Sequence, residues 1–294
     1  MHTFKAFAIF AYILSVLLCT SCVREDTENC VQYALNVRAV DAEGNDLTEN
    51  GVLQKSDVYL FDENGFVRMV PAGISSDFLF GEEKSAKLTL VAWGNLKEDT
   101  LVTTELARGT SIEEARIQLR KHAEGTHIPI TDLFYSRKEL SWVQTRSMQE
   151  ENIVLVMERI AASVSIRTRY LAERYPYSGV PYHFIVRGMG TEMDFTGRTV
   201  GEDAGYKPTS TTDNAGDVYA PPFHVFTMQE EDGIEIDIYR EQERICTVTE
   251  DNNFQPLRVT VGKQTNIDID FRYAEIKTSI TVTPWGEVWQ DTEM

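Results

Sequence analysis

The chain has 294 residues, of which 46 are acidic and 28 are basic, so its formal net charge at pH 7 is -18. An acidic chain of this kind repels phosphate backbones, which argues against nucleic acid as a partner. Once the apolar leader described next is removed, roughly 270 residues remain, a length that suits one large or two ordinary domains.

The first 21 residues have the layout of a secretory signal peptide. Their apolar stretch, Ala6 to Leu18, is shorter than the about 20 apolar residues of a membrane-spanning helix. The small residues Thr20-Ser21 stand directly before Cys22, as in a lipoprotein cleavage box. We therefore predict that residues 1–21 are removed and that Cys22 becomes the acylated N-terminus. Ordinary secretion with a plain Cys22 thiol is the alternative.

Acylation of Cys22 would fix the chain to a membrane, because each buried methylene contributes about 0.8 kcal/mol. The covalent diacylglycerol and fatty acyl groups on Cys22 are the only non-protein groups that we predict, and no other cofactor is expected. Residues 22–30 are read as a lipidated tether. Within it, the basic Arg24 is followed by the acidic Glu25 and Asp26. This order resembles the surface-export tag of lipoproteins in the Bacteroidetes, and a solvated spacer is the simpler interpretation.

Two further cysteines, Cys30 and Cys246, remain in the mature chain if Cys22 carries lipid. An oxidising compartment would permit them to form a disulfide. A free Cys246 thiol buried in an apolar strand is equally ordinary. Neither cysteine has the spacing of a metal or redox motif.

Alternation of apolar and polar residues is the dominant pattern after Cys30, and it predicts β-strands. The clearest prediction is a β-hairpin at Asn64-Gly65. These two residues separate two β-rich runs, and both tolerate positive φ. The predicted strands cover 31–39, 56–62, 66–70, 86–95, 133–137, 152–157, 161–169, 182–188, 223–228, 234–239, 244–249, 257–261, 266–271 and 276–283.

One helix and one long loop interrupt this pattern. Ser111 and Glu114 have capping-box spacing, so a short helix is predicted over Ser111–Leu119. Gly201–Pro222 is rich in Gly, Pro, Asp, Ser and Thr and is predicted to be an exposed loop. A strand-rich chain with so little helix is a mainly β protein of two tandem antiparallel β-sandwich domains. We place them at residues 31–160 and 161–294.

No pattern in the sequence indicates an enzyme or a metal site. Gly-x-Ser-x-Gly, Walker-type and His-Glu-x-x-His motifs do not occur. His122 and His127 are five residues apart, which does not match a usual zinc pair. The acidic run from Gln229 to Gly233 lacks the ligand spacing of a calcium loop and is read as a solvated hairpin turn. We therefore predict no catalytic residues and no metal.

The chain resembles the FimB-type fimbrial anchor lipoproteins of the Bacteroidales over nearly its whole mature length. The segments that carry this resemblance are the box around Cys22 with its acidic follower, Cys30, Asp57–Gly65, Leu90–Leu96, Asp132–Tyr135, Met157–Val164 and the region of Trp285. The resemblance implies two Greek-key, transthyretin-like sandwiches and a position at the base of a pilus, on the outer membrane and exposed at the cell surface. It also implies that the protein holds other fimbrial subunits by strand-mediated contact.

Several alternatives remain open from the sequence. The C-terminal segment from Glu275 to Met294 is either a contact for the adjoining subunit or an ordinary closing strand. The chain could instead be a stalk or tip adhesin of the same architecture. A glycan-binding surface lipoprotein is the third possibility, in which Trp142, Tyr175 and Tyr177 would stack on sugars.

Overall fold

The computed structural model describes residues 31–72, 75–80, 87–141, 150–176, 181–227 and 233–286. Within these ranges the chain is built almost entirely from strands, with one short helix, α1 (Leu171–Arg174), and one 3-10 turn (Thr48–Asn50). The strands are β1 (Val31–Val40), β2 (Ser56–Asp62), β3 (Gly65–Ala72), β4 (Ser75–Phe80), β5 (Lys87–Gly94), β6 (Leu101–Thr103), β7 (Arg116–Leu119), β8 (Phe134–Ser141), β9 (Glu150–Arg159), β10 (Ala162–Arg169), β11 (Tyr182–Asp194), β12 (Thr199–Tyr206), β13 (Thr211–Thr212), β14 (Val218–Val225), β15 (Glu235–Arg240), β16 (Glu243–Val248), β17 (Lys263–Asp270) and β18 (Lys277–Pro284).

Seven strands of the N-terminal part form a sheet in the order β3-β2-β5-β8-β9-β1-β4. β8 and β9 pair only through Phe134–Tyr135 with Glu158–Arg159. At this corner the sheet divides into two wings, β3-β2-β5-β8 and β9-β1-β4. A core of apolar residues from β1, β2, β5 and β9 lies between the two wings. The predicted β2–β3 hairpin at Asn64-Gly65 is confirmed, since Asp62 pairs with Gly65.

The C-terminal part contains a five-stranded sheet in the order β13-β14-β10-β17-β18. Opposite it lies a sheet in the order β16-β15-β11-β7-β6, with β12 also paired to β11. A second, larger core is built from residues of both sheets. The predicted mainly β, antiparallel sandwich class is confirmed, with two parallel strand pairs added to it.

Those parallel pairs show that one connectivity is used twice. β1 lies between the antiparallel β4 and the parallel β9. β10 lies in the same way between the antiparallel β14 and the parallel β17. In both parts, therefore, the first strand is held by a strand that follows much later in the chain, although no internal repeat is evident in the sequence.

The wing that contains β2 and β5 is buried on both faces. Val58 and Leu60 point into the N-terminal core, whereas Tyr59 and Phe61 point into the larger core, as expected for alternating side chains of a doubly covered strand. The ring of Phe195, in the turn after β11, packs edge-on against Tyr59, with centroids 4.9 Å apart. The two cores are therefore separated only by this one layer of strands.

A shared sheet also connects the two predicted domains. β6 and β7 come from the part of the chain before residue 160, yet β7 pairs with β11, Ile117 opposite Met193. The boundary at residue 160 stays a prediction, but strands from both sides of it belong to one sheet.

The helix predicted over Ser111–Leu119 is wrong. Ser111 and Glu114 do exchange capping hydrogen bonds, from the Ser111 N–H to Glu114 Oε2 at 3.4 Å and from the Glu114 N–H to Ser111 Oγ at 3.2 Å. The chain nevertheless leaves this turn as strand β7. Ala115, Ile117 and Leu119 are all buried, so the apolar period of two outweighed the local helix signal.

Two other predictions are also wrong. Gly201–Pro222 is not a loop, because most of β12, all of β13 and part of β14 lie in it, with Ala204 and Tyr206 among its buried residues. Conversely, residues 257–261 form no strand. There only Leu257 makes a bridge, to Ile234, and the chain then turns at Gly262, whose φ is 70°.

Four hairpin loops share one hydrogen-bonding pattern. The first residue is an aspartate whose Oδ1 accepts the N–H groups of the third and fifth residues at 2.8 to 3.0 Å, which is an extended Asx turn. The aspartates are Asp41, Asp194, Asp213 and Asp251. The fourth residue has positive φ in every case, and it is Gly44, Gly197, Gly216 and, in the last loop, Phe254. A side chain in this conformation costs roughly 1–2 kcal/mol, so Phe254 departs from the rule that its sister loops follow.

The position of Phe195 between the cores gives a first prediction. Phe195→Ala should lower the free energy of unfolding by about 3–5 kcal/mol, because a buried aromatic side chain leaves a cavity that its neighbours only partly fill. Urea denaturation followed by fluorescence and circular dichroism measures this loss. Met69→Ala, a change at an exposed position of β3, is the matched control and should change stability by less than about 0.5 kcal/mol. A Phe195→Ala protein as stable as the wild type would contradict the packing role.

Candidate functional site: the free edge of the C-terminal strand

β18 is an edge strand of the five-stranded sheet, and its β-branched composition explains why it forms. Its sequence, KTSITVTP, contains four Thr, Ile or Val residues in succession, which favour extended backbone. It pairs antiparallel with β17 along its whole length, from Lys277 opposite Asp270 to Pro284 opposite Lys263. The predicted strand over 276–283 is therefore confirmed.

The backbone groups of alternate residues in β18 point away from β17. In an antiparallel ladder, residues that bond to the partner strand alternate with residues whose N–H and C=O face outward. Thr278 belongs to the outward set, because its N–H donates to Asn252 Oδ1 at 2.8 Å and its C=O accepts the Asn252 N–H at 2.9 Å. Ile280 and Val282 follow with the same orientation, and no other described residue bonds their outward groups.

Both ends of this free edge are defined. At one end, Asn252 occupies the outward groups of Thr278. At the other end, Pro284 has no N–H to offer. Between them lie the N–H and C=O groups of Ile280 and Val282, which is the length of edge on which an added strand could form hydrogen bonds.

The two faces of β18 differ in polarity. Ile280 lies opposite Ile267 of β17 and packs against the larger core. Val282 points to the same side but is 49% exposed. On the other face, Thr281 and Thr283 alternate with these residues. A strand added at this edge would therefore need apolar side chains on the side of Val282 and polar ones on the other.

The strands behind β18 are joined by polar side chains in register. Ser165 of β10 donates its hydroxyl to Asn266 Oδ1 of β17 at 2.7 Å. Next to this pair, Arg167 donates to Asp268 Oδ2 at 2.7 Å. Buried polar groups that are satisfied in this way fix the register of neighbouring strands. The free edge thus rests on a rigid backing.

Trp285 ties the end of β18 to the joint between the two parts of the chain. Its ring lies 4.6 Å from that of His224 on β14 and 4.6 Å from the guanidinium of Arg159 at the end of β9. Arg159 is in turn held by Asp132, with Nε 2.9 Å from Oδ1. A cation stacked on an aromatic ring and paired with a carboxylate is well fixed, so Trp285 holds the strand from which it emerges.

Most of the predicted site residues lie outside the part of the chain that the structure describes. Cys22, Arg24, Glu25, Asp26 and Cys30 lie outside the described residues, and so do Trp142 and Tyr177. Cys246 lies half-buried on β16 without a disulfide partner among the described residues, and burial raises the pKa of its thiol to about 11. Lipidation at Cys22, the export tag and the pairing of Cys30 with Cys246 stay predictions.

The remaining candidates are packing residues. Tyr175, considered above as a sugar platform, is half-buried and packs edge-on against Phe271 at 6.0 Å. His127 is buried beside Tyr206. Within the ranges that the structure describes, no group of three His, Cys, Asp or Glu side chains could hold a metal ion, and no helix is long and apolar enough to cross a membrane.

Sequence reasoning missed Asn252 and Phe254. Both belong to the Asp251 loop, whose turn signal, Asp-Asn-Asn, was available in the sequence. The contact between Asn252 and Thr278 was not, because it joins residues 26 positions apart.

The family described as "Fimbrillin-A associated anchor proteins Mfa1 and Mfa2" matches residues 24–291. The chain belongs to this family of fimbrial anchor proteins. The major fimbrium anchoring subunit FimB of Porphyromonas gingivalis strain W83 is 27% identical over 301 residues, covering 96% of this chain and 98% of that protein. A second FimB sequence of P. gingivalis is 26% identical over 298 residues, covering 95% and 96%. The family predicted from the sequence is confirmed.

Solved structures share the fold of this anchor protein. The fimbrial anchor protein Mfa2 from P. gingivalis has a TM-score of 0.63 at 13% identity, covering 87% of this chain and 98% of that one. A candidate adhesin from Bacteroides ovatus has a TM-score of 0.62 at 10% identity, covering 88% and 97%. At such identities the match concerns the architecture alone.

The histidines predict how stability changes with pH. Burial lowers the pKa of His127, His183 and His224 below their ordinary value of 6.5. The folded protein therefore favours the neutral rings, and the stability that this gives is present above pH 6.5 and is lost as the pH falls below it. His224 faces Asp132, which raises its pKa, and Arg159, which lowers it, with Trp285 stacked on the ring.

We expect the melting temperature to fall between pH 7.5 and 5, a window above the range in which carboxylates titrate. His224→Phe should make this decrease smaller, because it keeps an aromatic ring beside Trp285 without a titrating group. Differential scanning calorimetry across the window tests both statements. Equal slopes for the wild type and His224→Phe would show that His224 does not contribute.

Proposed function

We propose that this anchor protein fastens the base of a fimbrium to the outer membrane by lipid on Cys22, and that the next fimbrial subunit pairs with the free edge of β18. The match to the anchor family over residues 24–291 supports the anchoring role in the first half of this proposal. The outward groups of Ile280 and Val282, to which no other described residue bonds, support the second half. The role is one of attachment, with no catalytic step.

The choice of β18 follows from a comparison of the sheet edges that the structure describes. β13 and β6 are only two and three residues long. β4 and β16 have six residues each, with one charged residue in β4 and two in β16, and β12 carries the adjacent acidic pair Glu202 and Asp203. β3 is partly covered, since the Phe66 N–H donates to Thr110 O at 2.7 Å and Phe66 O accepts the Gly109 N–H at 2.8 Å. β18 is eight residues long and carries one charged residue, Lys277. Long edges without charge are those that accept added strands.

Lipidation of Cys22 is supported by the leader that precedes it and by the position of β1. β1 begins at Val31, so eight residues, 23–30, lie between the acylated Cys22 and this strand. An acyl anchor of two or more chains binds a membrane for long times. The resemblance of Arg24, Glu25 and Asp26 to a surface-export tag supports exposure at the cell surface, where fimbriae are attached.

Substitution of Cys22 tests the membrane end of the proposal. Cys22→Ser removes the thiol to which the acyl chains would be attached. The substitution should therefore abolish incorporation of radiolabelled palmitate, move the protein out of the membrane fraction and release fimbriae into the medium. Cys246→Ser is the matched control and should keep the label and the attachment. A Cys22→Ser protein that still carries palmitate would contradict lipidation at this residue.

Proline substitution tests the subunit end. Val282→Pro should leave the ladder between β17 and β18 intact, since the Val282 N–H faces outward, yet it removes a donor that an added strand needs. We expect fimbriae to be shed while the melting temperature stays within a few degrees of the wild type. Val282→Ala keeps the N–H and should retain the fimbriae.

Thr281→Pro completes this test, because its N–H belongs to the set that bonds β17. It should lower the melting temperature, which would confirm the orientation of the backbone groups. If Val282→Pro cells keep their fimbriae as firmly as wild-type cells, strand pairing at β18 is wrong and another surface holds the subunit.

A further inference from the structure

Phe254 occupies a position that its sister loops reserve for glycine. Its φ is 60°, compared with 84°, 87° and 85° for Gly44, Gly197 and Gly216. Its side chain is 78% exposed, and it makes no ring contact with another described residue. A large apolar side chain in a disfavoured backbone conformation, facing solvent, contributes nothing visible to the fold. Such outliers are a reason to consider a functional role.

The other non-glycine residues of positive φ that the structure describes have reasons inside the molecule. Asn95 accepts the Gln54 N–H at 2.8 Å and donates to Val52 O at 2.7 Å, so it fastens two loops together. Tyr170 lies 4.6 Å beneath the guanidinium of Arg272. Glu241 belongs to the two-residue turn of the β15–β16 hairpin. Phe254 differs from Asn95 and Tyr170 because its exposed side chain makes no contact of this kind with another described residue, and from Glu241 because it is apolar.

The loop of Phe254 is fixed beside the free edge of β18. Asn252, two residues earlier, makes both hydrogen bonds to Thr278 that end this edge. The loop itself is rigid, since Asp251 Oδ1 accepts the N–H groups of Asn253 at 2.8 Å and Gln255 at 3.0 Å. The loop that carries Phe254 therefore lies beside the point where a strand paired with Ile280 and Val282 would leave the sheet.

Acidic residues flank the loop and β18 along the chain. The exposed Glu250 precedes the loop, the half-buried Asp251 begins it, and the exposed Glu275 lies just before β18. Lys277 offsets Glu275 in part, with Nζ 3.7 Å from Oε2. The local charge is thus negative, like that of the whole chain, and a partner surface here needs basic residues.

We propose that Phe254 is the anchor side chain of the subunit interface at β18. It would enter an apolar pocket, rimmed by Lys or Arg, on the fimbrial subunit whose extended segment pairs with Ile280 and Val282. Exposed aromatic residues held rigidly beside a binding surface are typical of the few positions that dominate interface affinity. Such a role would account for an aromatic residue at a backbone position that disfavours it. This inference rests on the proposed function of the β18 edge.

Phe254→Gly separates the interface role from folding. Glycine suits the backbone at this position, so the melting temperature of the full chain should rise. Fimbrial attachment should weaken all the same, with roughly tenfold or more fimbrillin in the culture medium, because a dominant contact is lost. Val154→Ala, at an exposed position of β9, removes exposed apolar surface elsewhere and should leave attachment unchanged. A more stable protein that holds its fimbriae poorly is the result that we expect.

The other outcomes overturn the inference in distinguishable ways. If deletion of the whole gene sheds fimbriae but Phe254→Gly does not, the proposed function stands and the role of Phe254 is wrong. If the deletion itself leaves fimbriae attached, the proposed function has failed. Phe254 could also touch lipid: if Cys22→Ser protein binds phosphatidylethanolamine–phosphatidylglycerol vesicles and loses this binding in Phe254→Gly, the contact is with the membrane and the subunit interface is refuted.

Discussion

Burial of the β2–β5 wing on both faces is the constraint on which the rest of this structure depends. Because Val58 and Leu60 serve one core while Tyr59 and Phe61 serve the other, neither core can be rearranged without disturbing its neighbour. Trp93 of β5 is fully buried in this layer, 5.7 Å from Phe195 in ring centroids. An anchor has to transmit force between its two ends, and packing of this kind connects them rigidly.

The parallel strand pairs suit the same requirement. In the proposed role, force enters at the N-terminal end of β1, near the lipid, and leaves from the C-terminal end of β9 through Arg159 to β10. These ends point in opposite directions along a parallel pair, so the load shears the ladder that runs from Gln32 opposite Glu150 to Val40 opposite Glu158. All hydrogen bonds of such a ladder bear the load together. The β10–β17 pair repeats this geometry one step closer to β18.

Alternation of apolar and polar residues was sufficient to predict most strands, the β2–β3 hairpin and the sandwich class. On a half-buried strand the polarity of each residue indicates whether its side chain faces the core or solvent. It failed where local and distant signals disagreed. Ser111 and Glu114 form their capping contacts, yet Ile117 is drawn into a sheet by Met193, 76 residues away (193 − 117). The many Gly, Pro, Asp, Ser and Thr residues between 201 and 222 likewise favoured a loop, although this segment forms strands that pair with distant parts of the chain. The free edge was anticipated only as one of two readings of the C-terminal segment, since the sequence does not tell which side of β18 is paired.

The short length of the free edge has a consequence for specificity. Asn252 and Pro284 leave outward N–H and C=O groups together only at Ile280 and Val282, too few for backbone pairing alone to hold a fibre under load. Backbone hydrogen bonds are also the same for every sequence, so they cannot select one subunit from another. Selection must come from side chains beside the edge. Val282 is apolar and half exposed. Phe254 belongs to a fixed loop next to the acidic residues Glu250 and Asp251. Together they favour a partner with an apolar pocket and a basic rim over any other extended chain.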